Sequence, residues 1–116
     1  MTINIQIFGT LKCNETNKAL RFFRERGVKP HFVNLAEKAI TAGELDNISS
    51  QIPLDTLLDK GSKEFQKLNL KYMIYDTREK LLENPLLFKT PIVRYGRKAT
   101  AGYEPSKWKE WIDLSK

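Results

Sequence analysis

The first 35 residues switch from one hydrophobic period to another, and this switch constrains the fold more than any other feature of the sequence. Apolar residues alternate with polar ones over 3–7, as in a β-strand, and Gly9 ends the strand. Over 14–26 the apolar side chains recur at helical spacing. A second short strand follows over 31–35. This order predicts a right-handed crossover between two parallel strands.

The remainder of the chain predicts a helical middle and a second sheet-forming segment. Helix caps are expected at Thr41 and Asp76. Strands are expected over 90–94 and 97–102, with a last helix from Pro105. The order β-α-β, helices, β-β-α indicates an α/β protein with the thioredoxin fold and a mixed four-stranded sheet. We therefore predict a single domain over 1–116, with core halves 1–35 and 86–116 and a helical insertion over 36–85.

Composition narrows the chemistry to one thiol. The 116 residues include one Cys and one His, so an internal disulfide framework and a structural zinc site are excluded, and we expect no metal. No apolar run approaches the length of a membrane span, and the first ten residues lack the pattern of a signal peptide. We expect a cytoplasmic monomer that does not contact a membrane.

The net charge of +6 is unevenly distributed along the chain. The segments 1–35 and 71–116 each carry +4, whereas 36–70 carries −2. A surplus of this size is typical of a soluble surface, and attraction of small anions is the next interpretation. We expect no direct binding of nucleic acid, because no basic run is interleaved with aromatic residues.

Cys13 is the candidate nucleophile. It follows a strand and a glycine-containing loop and precedes a helix, where free backbone N–H groups and the helix dipole favour a thiolate. The neighbouring Lys12 adds a positive charge. The alternative is a buried, inert thiol, but the polar neighbours of Cys13 argue against it. Because Thr16 stands where a Cys-x-x-Cys motif has its second thiol, any catalytic cycle needs an external thiol, and the Thr16 hydroxyl is a candidate donor to the thiolate.

A second candidate element is the pair Thr90-Pro91 at the start of the third predicted strand. In a thioredoxin fold a cis proline at this place faces the nucleophile and leaves backbone groups open to an extended thiol substrate. The alternative is an ordinary trans proline on an edge strand. Given the predicted topology, we expect the cis isomer and a substrate-binding role for both residues.

The remaining polar and aromatic residues have simpler interpretations. His31 is expected to be structural, and Trp108 and Trp111 are expected to pack in the core. Any single cation is more simply a solvated side chain than part of an oxyanion site. The cations considered for such a site are Lys12, Lys60, Lys89, Arg94 and Arg97.

Four segments resemble the family of glutaredoxin-coupled arsenate reductases and Spx proteins. They are the strand end and Cys loop over 8–16, the central loop and helix over 57–68, the Asn-Pro and Thr-Pro-Ile-Val region over 81–93, and Gly102-Tyr103 before the last helix. The resemblance spans nearly the whole chain. It implies a thioredoxin fold with a helical insertion, in agreement with the predicted element order.

In the arsenate reductases of this family, a Cys attacks arsenate, glutathione displaces the arsenic, and glutaredoxin reduces the mixed disulfide. The resemblance thus implies Cys13 as nucleophile, a small oxyanion or disulfide as substrate, glutathione as co-substrate and glutaredoxin as partner. Of the three arginines that hold the oxyanion in the family, the first falls near Lys60, the second is Thr90, and the third is matched to Arg97. An Spx-like regulator that binds RNA polymerase is the alternative, although Thr16 removes the Cys-x-x-Cys switch of Spx.

Overall fold

The computed structural model describes residues 3–115, which are organised around a mixed four-stranded sheet. The spatial order is β2-β1-β3-β4, with β1 parallel to β2 and both other pairs antiparallel. This arrangement confirms the predicted α/β thioredoxin-like fold. The strands are β1 (Gln6–Gly9), β2 (His31–Asn34), β3 (Ile92–Tyr95) and β4 (Lys98–Ala101).

Helices connect the strands as the element order predicts. Two short 3-10 helices, Leu70–Tyr72 and Pro85–Leu87, accompany the six α-helices. The hydroxyl of Thr41 accepts from Glu44 N at 3.1 Å, and the Glu44 carboxylate accepts from Thr41 N at 3.0 Å, so the predicted capping box is present. The helices are α1 (Asn14–Glu25), α2 (Ala42–Ser49), α3 (Leu54–Leu57), α4 (Lys63–Lys67), α5 (Thr77–Glu83) and α6 (Pro105–Leu114).

The two faces of the sheet bury different helices. Alternate strand residues such as Ile7 and Val93 pack with α1 and α6, whose Trp108 is fully buried. The predicted core packing of Trp108 and Trp111 is therefore confirmed. On the other face, Phe8, Ile92 and neighbouring residues pack against apolar side chains of the segment between β2 and β3.

Strand direction gives the sheet two distinct ends. The strand β1 runs from Gln6 to Gly9, and β3 runs antiparallel to it, so Ile92 lies beside Phe8. The strand β4 then returns, which places Ala101 beside Ile92. The end of the sheet that contains Gly9 therefore also receives the start of β3 and the end of β4, whereas the β3–β4 turn lies at the opposite end.

The first strand is shorter than the sequence predicts. Ile3 and Ile5 are buried as expected, but regular pairing with both neighbouring strands begins at Gln6. Alternation of apolar and polar residues indicates which side chains are buried. Extended residues that precede a strand show the same alternation as the strand, so the pattern does not locate the first paired residue. Among residues 3–115, no helix is both long and apolar enough to cross a membrane.

Candidate functional site

The loop after β1 fixes Cys13 at the start of α1. A turn is closed by the hydrogen bond from Cys13 N to Thr10 O at 3.1 Å, and Asn17 Nδ2 donates to Leu11 O at 2.8 Å. Cys13 is the N-cap residue of α1, with extended backbone angles and no capping hydrogen bond from its side chain. The half-buried thiol is therefore held at the positive end of a 12-residue helix and is free to react.

Thr90 is the principal neighbour of the thiol from another part of the chain. Its hydroxyl donates to Cys13 Sγ at 3.2 Å, and Cys13 Sγ lies 3.9 Å from Thr90 O. The first contact favours the thiolate, which accepts hydrogen bonds more strongly than a thiol does. The sequence-predicted pair Cys13 and Thr90 is thus brought together across 77 positions of the chain.

Competing effects set the pKa of Cys13. Desolvation by burial raises the pKa, whereas the Thr16 and Thr90 hydroxyls and the backbone N–H groups of Thr16 and Glu15 lower it. The hydrogen-bond donors together outweigh desolvation, so the pKa of Cys13 lies below its usual value of 9.0. The site therefore increases the thiolate fraction at neutral pH, which is the property expected of a nucleophilic Cys.

Thr16 lies directly behind the thiol and is fully buried. Its hydroxyl makes no hydrogen bond of regular geometry among residues 3–115, so it is available to donate to the Cys13 thiolate and thereby to lower the pKa of the thiol. The close packing of α1 on the end of β1 depends on Gly9. A β-carbon at Gly9 would lie 2.7 Å from Thr16 Cγ2 and would also overlap the Thr16 hydroxyl.

The Thr90-Pro91 peptide bond is cis, as the sequence predicts. The neighbouring backbone groups have defined partners: Lys89 N donates to Leu57 O at 2.7 Å, and Gly102 N donates to Pro91 O at 2.8 Å. Between them, Thr90 N has no backbone acceptor within the described part of the chain. The Thr90 backbone thus leaves an N–H beside the thiol for an extended substrate to pair with.

The two lysines predicted for the site occupy different surroundings. Lys12 is exposed next to Cys13 and makes no ion pair with a residue in the range 3–115. The backbone of Asp59 pairs with Leu87, which brings the central loop alongside the approach to Thr90. Lys60, however, lines a groove with Lys71 and several apolar residues, and Cys13 is not part of that lining.

The structure does not bring Arg97, the predicted oxyanion ligand, to the thiol. Arg97 lies in the β3–β4 turn, where Tyr95 pairs with Lys98 at the end of the sheet remote from Cys13. Because β3 leads away from Pro91, its far end cannot return to the thiol. The His31 side chain is exposed at that same remote end, away from Cys13.

Lys89 is a cation at the Cys13 end of the sheet. The sequence does not distinguish it from the other dispersed lysines and arginines. It immediately precedes Thr90, and its Cε would lie 3.4 Å from a β-carbon placed on Gly102. The aliphatic part of the Lys89 side chain therefore lies across the end of β4. Its place in the sequence next to Thr90 was the available signal, since it puts the Lys89 backbone at the Cys13 end of the sheet.

The site has a thiol and hydrogen-bond donors but no concentrated set of metal ligands or guanidinium groups. Among residues 3–115 there is no group of three or more His, Cys, Asp or Glu side chains that could hold a metal ion. The segments around the thiol, 9–16, 89–91 and 102–104, contain no Arg. Bidentate recognition of an oxyanion by arginine is therefore not available from these segments.

Comparison with known proteins relates this chain to one sequence family and to several solved structures. The sequence model of the ArsC family matches residues 8–111. The uncharacterized protein YusI of Bacillus subtilis (strain 168) is 26% identical over 106 residues, which cover 85% of this chain and 90% of YusI.

Two solved structures have the same fold. The arsenate reductase from Vibrio cholerae superposes with a TM-score of 0.81 at 20% identity, covering 95% of this chain and 98% of that protein. An arsenate reductase (ArsC) related protein from Brucella melitensis superposes with a TM-score of 0.71 at 22% identity, covering 98% of each chain. At these identities the superpositions establish the fold.

Proposed function

This chain belongs to the ArsC family, and from that membership and the Cys13 site we propose that it is a single-thiol reductase resolved by glutathione. The observation that carries the proposal is the set of donors around Cys13 Sγ: the Thr90 hydroxyl at 3.2 Å and the N-terminal backbone of α1. Family membership supports a thiol-based, reductase-like role. The donors supply the physical reason that this particular thiol is the reactive group.

The proposed reaction begins with the Cys13 thiolate. The thiolate attacks one sulfur of a disulfide, whose S–S bond breaks, and one half of the substrate leaves as a thiolate that takes up a proton. Cys13 then holds the other half as a mixed disulfide. A glutathione thiolate attacks the substrate sulfur, forms a new disulfide with it and releases the Cys13 thiolate. One glutathione is consumed for each substrate thiol released, so electrons balance.

An external thiol is required because the sequence contains no second Cys. Thr16 occupies the buried position behind Cys13 where a Cys-x-x-Cys protein has its resolving thiol. Glutathione as co-substrate and glutaredoxin as partner are part of this proposal. Binding of RNA polymerase, expected only by resemblance to Spx, stays a prediction, as do the monomeric state and the cytoplasmic location.

We propose a disulfide as the preferred substrate over an oxyanion. The Thr90 hydroxyl is neutral, Lys60 lines another groove, and Arg97 lies at the opposite end of the sheet. The remaining cations beside the thiol are lysines, which offer point charges without a planar pair of donors. An extended disulfide instead can use the free Thr90 backbone N–H.

Mass spectrometry after exposure to glutathione disulfide tests the proposal. We expect one glutathione per chain on the native protein and none on Cys13→Ser, with Arg97→Gln as a matched control that reacts as the native protein does. Added glutathione should remove the adduct. Failure to form the adduct, together with an undepressed thiol pKa, would overturn the proposal.

An arsenate-dependent assay coupled to glutathione and glutaredoxin decides the substrate class. We expect turnover of a glutathione mixed disulfide and little or no turnover with arsenate. Arsenate turnover that exceeds disulfide turnover and disappears in Cys13→Ser would reverse the substrate preference while leaving the nucleophile in place.

A further inference from the structure

Three polar side chains form a row across the sheet at the end remote from Cys13. Gln6 on the central strand β1 pairs in register with His31 on β2 and with Arg94 on β3. Residues directly paired across neighbouring strands project from the same face, so these three side chains stand side by side. We call this set the distal row.

The distal row lies beyond the area covered by the helical segment between β2 and β3. Toward the Cys13 end of the sheet, the next residues on this face are Val33, Phe8 and Ile92, each two positions away on its strand. All three are buried in the core. His31 by contrast is exposed, and Gln6 and Arg94 are partly exposed. The apolar part of the face is therefore covered, whereas its polar end opens to solvent.

Arg94 is held in place but is not neutralised. Its Nη1 donates to Gln6 Oε1 at 3.0 Å, and its guanidinium carbon lies 5.9 Å from the centre of the Phe8 ring. The Nε–H is buried without an acceptor, and no ion pair joins Arg94 to a carboxylate within residues 3–115. The guanidinium is thus oriented by a neutral partner, and its charge has no counter-ion.

The distal row lines a cleft of about 400 Å³. This volume falls within the range of small-molecule sites. Lys29 contributes a second cation, and the lining includes no Asp or Glu. Because Gln6 uses its amide oxygen to accept from Arg94, its amide nitrogen remains a donor. The lining includes Asn4, Gln6, Lys29, His31, Arg94 and Gly96.

We propose that this distal cleft binds a phosphoryl group, as inorganic phosphate or as the phosphate ester of a small metabolite. A phosphoryl dianion matches the charge of two cations and accepts hydrogen bonds through several oxygens, including those from a guanidinium. A monocarboxylate has half the charge and fewer acceptors. The cleft is separate from the thiol site, since Gln6 and Gly9 alone are about 10 Å apart along β1, so the proposal does not rest on the proposed reductase function.

Titration of the ¹⁵N-labelled protein with inorganic phosphate, at an ionic strength held constant with chloride, tests the cleft. We expect saturable NMR shifts at the backbone amides of Gln6, His31, Arg94 and Gly96 and at the Arg94 Nε–H, also in Cys13→Ser. Shifts spread evenly over exposed lysines, or confined to residues 10–16, would overturn the proposal.

A second titration with glucose 6-phosphate distinguishes the two sources of the phosphoryl group. Tighter binding than that of inorganic phosphate assigns the cleft to an ester, and equal or weaker binding assigns it to the free ion. Acetate at the same concentration serves as the carboxylate control. Equal saturation by acetate would overturn the assignment to a phosphoryl group.

Arg94→Gln and Arg97→Gln form the matched pair of variants, because both remove one positive charge from the same strand–turn unit. We expect at least a tenfold loss of phosphate affinity for Arg94→Gln and less than a twofold loss for Arg97→Gln. Equal losses would show diffuse attraction by surface charge and would overturn the proposal. If Arg94→Gln does not fold, Lys29→Gln replaces it, because Lys29 is exposed and its loss should also weaken binding several-fold.

Discussion

The two ends of the sheet arrange polar groups in opposite ways. At the Cys13 end, a half-buried thiol is surrounded by neutral donors, namely two threonine hydroxyls and the first backbone N–H groups of α1. At the distal end, the guanidinium of Arg94 is oriented by the neutral amide of Gln6 and has no counter-ion among residues 3–115. The Cys13 end thus favours a negative charge on the thiol, whereas the distal end keeps the positive charge of Arg94.

This contrast shows that the basic net charge of the chain and the low pKa of its thiol have separate origins. The donors that lower the pKa of Cys13 are neutral groups, so the thiolate does not depend on the net charge of +6. The cations predicted to serve the thiol are dispersed: Arg97 lies at the distal end, and Lys60 lines another groove. Variants at each end should therefore act independently.

The largest expected effect comes from Gly9→Ala at the Cys13 end. The added β-carbon would overlap the fully buried Thr16 side chain, so α1 must shift away from β1. We expect a loss of about 2 kcal/mol of unfolding free energy, as for overpacked cores, together with slower reaction of Cys13. Chemical denaturation and thiol alkylation measure the two effects.

The double variant Gly9→Ala with Thr16→Ala is the control for that prediction. Truncation at Thr16 removes the two closest atoms and leaves the β-carbon of residue 16 at 3.1 Å. Part of the lost stability should therefore return. The pKa of the thiol should not return to its native value, because the Thr16 hydroxyl is also lost. A Gly9→Ala protein as stable as the native one would contradict the observed packing of α1 on β1.

The second effect concerns the donors to the thiolate. Thr90→Val removes the hydroxyl that lies 3.2 Å from Cys13 Sγ while keeping the shape of the side chain, so the pKa of Cys13 should rise. A hydrogen bond worth about 1 kcal/mol corresponds to a roughly fivefold lower thiolate fraction at neutral pH. Ultraviolet absorbance of the thiolate against pH measures the change, and Thr90→Ser, which keeps a hydroxyl, should stay close to the native protein.

The place of Cys13 was predictable because it depends on local sequence order: a Cys between a strand and a helix lies at a helix N-terminus in any fold with that order. The place of Thr90 is not local, and it was predictable because the element order indicated a thioredoxin fold, in which a Thr-Pro pair at the start of the third strand faces the nucleophile. The cis Thr90-Pro91 bond followed from the predicted topology and is confirmed. The caps at Thr41 and Asp76 were equally local and are also present.

Arg97 lies away from the thiol, and its predicted role rested on resemblance and not on strand direction. A strand that starts beside Cys13 at Pro91 must end at the opposite end of the sheet, and the turn that follows shares that place. The direction of the Lys60 side chain was not predictable, because it depends on the packing of α4 and the following 3-10 helix around the groove. The distal row needs the register of three strands, which no local pattern in the sequence specifies.

A smaller effect tests the independence of the two ends directly. Charge removal in Lys89→Gln should slow the reaction of Cys13 with the anionic glutathione disulfide by about twofold, since an exposed charge is screened by salt. Arg94→Gln and Arg97→Gln should leave that rate unchanged. Stopped-flow thiol kinetics at low and high salt compare the three variants, and a slower reaction in Arg97→Gln than in Lys89→Gln would contradict the separation of the two ends.

The smallest effect is the pH dependence of stability that Cys13 contributes. Because its pKa is lower in the folded protein than the usual 9.0, the folded chain releases the thiol proton at a lower pH than the unfolded chain does. The unfolded state therefore binds more protons between the two pKa values, and stability rises with pH across that window. The gain is complete above 9.0 and is lost as the pH falls through the folded pKa. Denaturant unfolding of the native protein and Cys13→Ser from pH 6 to pH 9.5 should show their difference in unfolding free energy growing in favour of the native protein, whereas a difference that is flat or shrinks with pH would mean that the donors around Cys13 do not stabilise its thiolate.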